Sequence, residues 1–334
     1  MKQTILNKLG MPPFKPLPGI STGRIQTIAS LYFPYNPFIN NTKQHIIPLS
    51  DGDKIVLVEN RPKNWVKSSR IILLVHGLSG SHLSKYFIRL THYFVRHGYL
   101  VIRMNLRGCG VGRGLAQHLY HSGRSEDTRA VLAWLAKQFP QSPVTQIGFS
   151  LGANITLKMA GEQQPMANLD SVMAISPPLD LAASVKLILK KQNRVFNDYF
   201  VKVLLKDIQI LHQTFPQLPP LSLPPISTLY EFDDLYTAPR SGFKDANDYY
   251  TRCSSWQFLE AITLPTFILY AKDDPVISRI KFMQLPHKEN FDVLITKQGG
   301  HVGWLGSTDK CCYYRWMDRV IFEWVNRFDQ KHTP

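Results

Sequence analysis

A serine between two glycines is the residue of this chain whose surroundings best suit nucleophilic chemistry. Ser150 lies in the run Gly-Phe-Ser-Leu-Gly at 148–152, between a predicted strand and a predicted helix. A nucleophile elbow needs this context, because the serine occupies a strained strand-to-helix turn and the residues two positions away must lack a bulky side chain. The alternative interpretation is that Ser150 only caps the helix that follows it.

A serine hydroxyl becomes a good nucleophile when a base takes its proton, and a carboxylate usually orients that base. His301 follows two glycines in the loop after the last predicted strand, where such a base is needed. Asp273 and Asp274 directly follow the preceding predicted strand. Asp274 has the better spacing for the orienting acid, and Asp273 is the alternative.

Two backbone N–H groups are the expected donors to the oxyanion of a tetrahedral intermediate. One belongs to the residue after the nucleophile, Leu151, and the other to the loop after the third strand. That loop reads His-Gly-Leu-Ser-Gly at 76–80, which assigns the second donor to Leu78. His76 is expected to order this loop rather than to act as a base.

The elements that must position these residues alternate between strands and helices. The predicted helices are 82–97, 125–139, 151–160 and 311–328, and the predicted strands are 54–58, 71–75, 99–104, 144–149, 171–175, 266–270 and 291–295. Such alternation is typical of βαβ units and predicts an α/β fold with a largely parallel sheet.

Two segments depart from this alternation. Residues 1–39 are rich in proline and aromatic residues, which predicts an irregular lead-in packed on the core. Between the core segments 40–178 and 255–330, the helical runs 181–191 and 199–215 are followed by several prolines, and we expect a lid at 179–254.

Composition and charge exclude several classes of protein. The 334 residues are 44% apolar with a net charge of +15, so a large core can form, and the absence of a long apolar run excludes a membrane-spanning helix. No secretory signal is recognised, and the four cysteines show no CxxC spacing, so we expect a cytoplasmic protein with free thiols. No cofactor or metal is expected.

Almost all of the positive charge belongs to the first 125 residues, which contain 17 Lys and Arg and three acids. Such a field attracts anionic surfaces, but without a zinc finger or an RNP-like segment nucleic acid is not an expected partner. The segment 185–191 mixes apolar residues with three lysines, as an interfacial helix at an anionic membrane would. The alternatives are a solvated basic face and an ordinary amphipathic lid helix over the active site.

The sequence resembles the α/β-hydrolase superfamily, and within it the bacterial YheT-type hydrolases and the abhydrolase-domain esterases of eukaryotes. The matching residues span most of the chain: Gln-Thr-Ile at 26–28, His-Gly-Leu-Ser-Gly at 76–80, Asn-Leu-Arg-Gly-Cys-Gly at 105–110, Gly-Phe-Ser-Leu-Gly-Ala-Asn at 148–154, Phe-Asp at 232–233, Gly-Phe at 242–243, Asp-Asp-Pro at 273–275 and His301. The lead-in departs from the family's Asn-Gly-His run before Gln-Thr, and no catalytic role is expected there.

The resemblance implies an α/β-hydrolase fold, a mostly parallel twisted sheet flanked by helices with a helical lid insertion. It also implies a Ser150, Asp274 and His301 triad and a serine carboxylesterase that cleaves short- to medium-chain acyl esters through an acyl-enzyme. Three alternatives stay open: acyl transfer to alcohols, a lipase directed at lipids or phospholipids, and a non-catalytic binder of hydrophobic ligands.

Overall fold

The computed structural model describes residues 2–33, 42–164, 166–306 and 314–330. Cys311 and Cys312, and with them the predicted start of the last helix, lie outside the described residues. Among the described residues, no helix is both long and apolar enough to cross a bilayer.

A single eight-stranded sheet forms the centre of the fold, with the strand order β1-β2-β4-β3-β5-β6-β7-β8. The strands β1 and β2 pair antiparallel, as do β2 and β4, and all other neighbours are parallel. The predicted α/β fold with a largely parallel sheet is therefore confirmed. The strands are Thr42–Pro48 (β1), Lys54–Asn60 (β2), Ile71–Val75 (β3), Leu100–Asn105 (β4), Val144–Phe149 (β5), Leu169–Ile175 (β6), Thr266–Ala271 (β7) and Phe291–Thr296 (β8).

Helices cover both faces of this sheet. They are Lys2–Lys8 (α1), Gly23–Tyr32 (α2), Lys85–Arg96 (α3), Ser125–Gln138 (α4), Leu151–Gly161 (α5), Leu181–Ile188 (α6), Arg194–Thr214 (α7), Leu229–Phe232 (α8), Ala238–Arg240 (α9), Ala246–Cys253 (α10) and Trp316–Gln330 (α11). Residues of α1, α3 and α11 pack in one apolar core, and residues of α4 to α8 and α10 pack in the other. The central strands are apolar on both sides because both faces are covered.

The sequence predicts an irregular lead-in, but residues 1–39 contain the helices α1 and α2. The apolar side chains Ile5 and Leu6 of α1 and Leu9 and Met11 after it are buried in the core that also contains α3 and α11. Helices this short have little stability of their own, so packing against the sheet stabilises them. Their sequence periodicity is correspondingly weak.

The strand β1 was also absent from the prediction. Its sequence, Thr-Lys-Gln-His-Ile-Ile-Pro, is mostly exposed at the edge of the sheet and shows no apolar run. Between β6 and β7 the chain forms α6 to α10, and this is the segment for which the sequence predicts a lid.

The topology brings four loops together. The strands β3, β5, β7 and β8 run in the same direction, so their carboxyl ends meet at one edge of the sheet. The loop 76–80, Ser150, Asp274 and His301 follow these four strands in turn. This edge therefore gathers the residues that the sequence analysis selected for chemistry.

Candidate active site

Ser150 occupies a strained turn between β5 and α5. Its backbone has φ 53° and ψ −120°, a conformation that residues other than glycine rarely adopt. A Cβ on Gly148 would lie 2.3 Å from the carbonyl oxygen of Gly152, and one on Gly152 would lie 2.4 Å from that of His76, so both positions require glycine. The Ser150 side chain makes no capping hydrogen bond to α5, which leaves its hydroxyl available for other partners.

His301 connects the serine to an acid through two hydrogen bonds. Its Nε2 lies 2.9 Å from Oγ of Ser150, and its Nδ1 lies 2.9 Å from Oδ2 of Asp274. Because a carboxylate only accepts, Nδ1–H donates to Asp274, which leaves Nε2 as the acceptor for the serine proton. The other oxygen of Asp274 accepts from the backbone N–H groups of Val276 and Ile277, at 2.8 and 2.9 Å.

Asp273 takes a different place from Asp274. Its Oδ1 accepts a hydrogen bond from the backbone N–H of Gly300 at 3.0 Å, one residue before His301. Burial raises the pKa of its carboxyl group, and the charge of Asp274 beside it acts in the same direction. The structure therefore places Asp274 on the imidazole and Asp273 on the backbone of the loop that carries it.

The helix α2 forms hydrogen bonds with the loop that carries His301. The backbone N–H of His301 donates to Oγ1 of Thr27 at 2.8 Å. The Gln26 amide exchanges two hydrogen bonds with the backbone of Leu305, at 2.7 and 2.9 Å. A Cβ on Gly23 would lie 1.8 Å from the carbonyl oxygen of Asp273, so α2 also touches the acid loop. This positioning role is not apparent from the sequence, although Gln26 and Thr27 belong to the matching residues of the resemblance.

Leu78 and Leu151, the expected oxyanion donors, line the same cavity as Ser150. Among the described residues, neither backbone N–H donates to a protein acceptor. Two tyrosine hydroxyls hold the peptide groups on either side of Leu78. The Tyr86 hydroxyl accepts a hydrogen bond from Gly77 N–H at 3.2 Å, and the Tyr120 hydroxyl accepts one from Ser79 N–H at 2.8 Å. The role of the two leucine N–H groups stays a prediction, and their surroundings are compatible with it.

His76 is bonded within this loop on both ring nitrogens. Its Nδ1–H donates to the carbonyl oxygen of Gly77 at 2.7 Å, and its Nε2 accepts from Leu106 N–H at 3.1 Å. Complete burial lowers the pKa of His76 to about 4. A neutral ring with both nitrogens occupied orders the loop and cannot serve as a base for Ser150.

The site opens into a mostly apolar cavity. Residues between β6 and β7 supply much of its wall, with Val185 and Ile188 of α6 and Phe200 of α7 among them. Lys186, on the other side of α6, is exposed. An amphipathic helix that covers an apolar cavity was one of the two alternatives for the segment 185–191, and this arrangement favours it.

One group of side chains in the described part of the chain has the spacing of metal ligands: Asp51, Asp53 and His118. The guanidinium of Arg107 already donates to both carboxylates, at 2.5 and 2.7 Å. Because this buried cation compensates the acids, the cluster is a structural ion-pair network rather than a metal site.

The chain is similar in sequence to proteins of known families. The sequence model of the alpha/beta hydrolase fold family matches residues 70–303. The chain is 29% identical to the putative esterase YheT of Escherichia coli over 326 residues, which cover 94% of this chain and 93% of that protein. It is 29% identical to a monoacylglycerol lipase of Saccharomyces cerevisiae over 70% of this chain and 54% of that protein. An esterase structure from Pyrococcus furiosus gives a TM-score of 0.54 at 16% identity over 89% of this chain and 93% of that one.

Proposed function

The chain belongs to the α/β-hydrolase family and is a carboxylic-ester hydrolase, and we propose that it works through a triad of Ser150, His301 and Asp274. The observation that carries this proposal is the continuous pair of hydrogen bonds from Ser150 to His301 and from His301 to Asp274, each 2.9 Å long. Nucleophile, base and orienting acid thus have the mutual geometry that acyl transfer to a serine needs.

In the first half of the reaction Oγ of Ser150 attacks the carbonyl carbon of the ester, and its proton passes to Nε2 of His301. The carboxylate of Asp274 stabilises the imidazolium that forms. The N–H groups of Leu78 and Leu151 donate to the carbonyl oxygen as it becomes an oxyanion. His301 then returns the proton to the departing alcohol, which leaves an acyl group on Ser150.

In the second half water replaces the alcohol. His301 takes a proton from the water, which attacks the acyl carbonyl, and the same two N–H groups again stabilise the oxyanion. Collapse of the intermediate releases the carboxylic acid and returns the proton to Ser150. No group beyond the residues of this chain and water takes part in these steps.

We further propose that the acyl groups are short to medium in length. The cavity beside Ser150 has mostly apolar walls, as small-molecule sites usually do. An apolar acyl chain gains stabilisation there by leaving water. Because helices between β6 and β7 supply much of the wall, this segment sets the limit on chain length.

A series of p-nitrophenyl esters of rising acyl length tests this function. Wild-type protein should hydrolyse short and medium esters and lose kcat/KM once the chain exceeds the cavity. Ser150→Ala should lower kcat by about 10⁵-fold or more with an unchanged melting temperature. Ser50→Ala, at an exposed serine in the turn after β1, is the control and should leave kcat unchanged. Activity of Ser150→Ala within about tenfold of wild type would contradict the proposal.

A further inference from the structure

The cavity that contains Ser150 has a buried carboxyl group on its wall. Asp233 lines this cavity and is only 9% exposed. Its Oδ2 accepts a hydrogen bond from the hydroxyl of Tyr250 at 2.8 Å, and the Thr237 side chain also hydrogen-bonds to it. In the described part of the chain, no lysine, arginine or histidine forms an ion pair with Asp233. The triad does not use this acid.

An acid in this position is unfavourable for folding. Burial raises the pKa of Asp233 to about 6, so the group is mostly ionised at neutral pH in surroundings that stabilise its neutral form. A buried carboxylate without a cation destabilises a fold, and an apolar residue would suit the wall of an acyl cavity better. The position of Asp233 in the reactive cavity points to a role in binding a ligand.

The local backbone supports this assignment independently. Residues Asp233–Thr237 form a π-helical turn between α8 and α9. Such turns are rare and are found often at functional sites. Here the turn carries both Asp233 and Thr237, and both line the cavity.

The lining restricts what Asp233 can bind. A carboxylate has about four acceptor positions, and the hydroxyls of Tyr250 and Thr237 occupy two of them. The remaining positions are available to a donor on a ligand. Among the described residues, the cavity lining contains no lysine or arginine, and burial keeps the pKa of His121 well below its usual value, so these residues offer no positive charge to an anionic group. A neutral hydroxyl, which needs no counter-ion in a mostly apolar lining, fits these positions.

We propose that Asp233 is a specificity-determining residue that accepts a hydrogen bond from a hydroxyl group of the ester substrate. Esters with a hydroxyl on the acyl chain or on the alcohol are then preferred over their unsubstituted counterparts. A hydroxyl that enters the cavity loses its hydrogen bonds to water, and Asp233 replaces one of them. Because this inference rests on the proposed esterase function, its test must separate loss of selectivity from loss of activity.

Two matched substrate pairs provide this separation. The first compares p-nitrophenyl hexanoate with p-nitrophenyl ω-hydroxyhexanoate, and the second compares ethyl hexanoate with hydroxyethyl hexanoate. Wild-type protein should prefer the hydroxylated member of one pair by about tenfold or more in kcat/KM, and the pair that responds tells whether the hydroxyl belongs to the acyl chain or to the alcohol.

Variants at position 233 then assign the preference. Asp233→Leu should abolish it by lowering kcat/KM for the hydroxylated ester, and a cooperative thermal unfolding curve shows that the variant folds. Asp233→Asn keeps one acceptor but loses the charge, so it should retain a reduced preference. Asp234→Asn is the control, because Asp234 lies next in sequence and outside the cavity lining, and it should keep the wild-type preference.

The outcomes are distinguishable. The role of Asp233 is overturned if wild-type protein shows no preference for the hydroxylated esters. It is also overturned if the preference is equal in wild type, Asp233→Leu and Asp233→Asn. Neither result contradicts the esterase function. If Asp233→Leu does not fold, the kcat/KM ratio of hydroxylated to unsubstituted ester is measured with Asp233→Asn instead. A reduced ratio supports the role of Asp233, and an unchanged ratio overturns it. Wild-type protein that cleaves none of the four esters contradicts the proposed substrate range and, with it, this inference.

Discussion

At the scale of single residues, the neighbouring acids Asp273 and Asp274 have different hydrogen-bond partners. Asp274 accepts hydrogen bonds from His301 and from two backbone N–H groups, so it is held on the imidazole. Asp273 accepts from the backbone of Gly300 and so bonds to the loop that carries His301.

Replacement of each acid by asparagine should therefore have unequal effects. Asp274→Asn should lower kcat by about 10⁴-fold, because an amide in this place favours the wrong tautomer of His301. Asp273→Asn retains an acceptor for Gly300 N–H, and we expect a loss of about tenfold or less. Steady-state kinetics on one p-nitrophenyl ester measures both. A larger loss in Asp273→Asn would reverse the two assignments.

The buried carboxyl of Asp233 should be visible in the pH dependence of stability. Because its folded-state pKa is raised from 3.8 to about 6, the folded protein binds this proton more tightly than the unfolded chain does. The group therefore destabilises the fold above about pH 6, and this destabilisation disappears as the pH falls towards about 4. The shift corresponds to a free energy on the order of 3 kcal/mol.

Asp233→Asn removes this titration. Compared with wild type, its free energy of unfolding in urea should be higher at about pH 8, and the difference should shrink as the pH falls to about 4. Asp234→Asn, which replaces the neighbouring acid in the same turn, serves as the control. Parallel curves for Asp233→Asn and wild type would contradict the assignment of a buried, ionised Asp233.

At the scale of elements, the helix α2 and the His301 loop behave as one unit although they lie at opposite ends of the chain. Thr27 accepts from the backbone of His301 and Gln26 bonds to the backbone of Leu305. The His301 loop must hold the imidazole within hydrogen-bond distance of Ser150. The contacts with α2 support this position, and small displacements of a catalytic group lower the reaction rate strongly.

Thr27→Val tests this support. The variant keeps the shape of the side chain but leaves the His301 N–H without its acceptor, and kcat should fall by about tenfold with little change in KM. Ser30→Ala is the matched control on the same helix, because among the described residues the Ser30 hydroxyl donates to the Thr27 carbonyl and not to the His301 loop. Equal kcat in Thr27→Val and wild type would show that α2 does not position His301.

The same elements show what could be predicted from the sequence and why. Strands such as Ile71–Val75 are continuous apolar runs, and the context of Ser150 is local, so both could be recognised in short windows. The contact of Thr27 with His301 joins residues 274 positions apart, and no local pattern encodes it. Asp233 belongs to the matching residues of the resemblance, but no role could be assigned to it from the sequence, because its position in the cavity depends on how α8 to α10 fold onto the core.

At the scale of the whole molecule, several exposed apolar side chains belong to α2 and to segments that follow the carboxyl ends of β3 and β7. Tyr32 of α2 is 77% exposed, and Met283, after β7, is 72% exposed. Ile28 of α2 and Leu83 of the loop after β3 are exposed as well. From these side chains and the positive charge of the first 125 residues, we propose that the protein makes weak peripheral contact with an anionic membrane surface.

Co-sedimentation with vesicles tests this proposal. Wild-type protein should pellet with phosphatidylserine-containing vesicles but not with pure phosphatidylcholine, and less at higher salt, since screened charge contributes to binding. The double variant Tyr32→Ser, Met283→Ser should bind less. The control Ile46→Ser, Val66→Ser removes exposed apolar side chains elsewhere and should bind like wild type. Failure to pellet with the anionic vesicles at low salt would contradict the proposal.

The central claim is that Ser150 is a nucleophile activated by His301, and the mass of the protein after reaction with a fluorophosphonate tests it most directly. Intact-protein and peptide mass spectrometry should find one phosphonyl group, carried by Ser150. The adduct should be absent from Ser150→Ala and strongly reduced in His301→Ala, because the neutral hydroxyl reacts slowly without its base. A folded wild-type protein without an adduct, or with the adduct on another residue, would contradict the account and favour a binder of hydrophobic ligands.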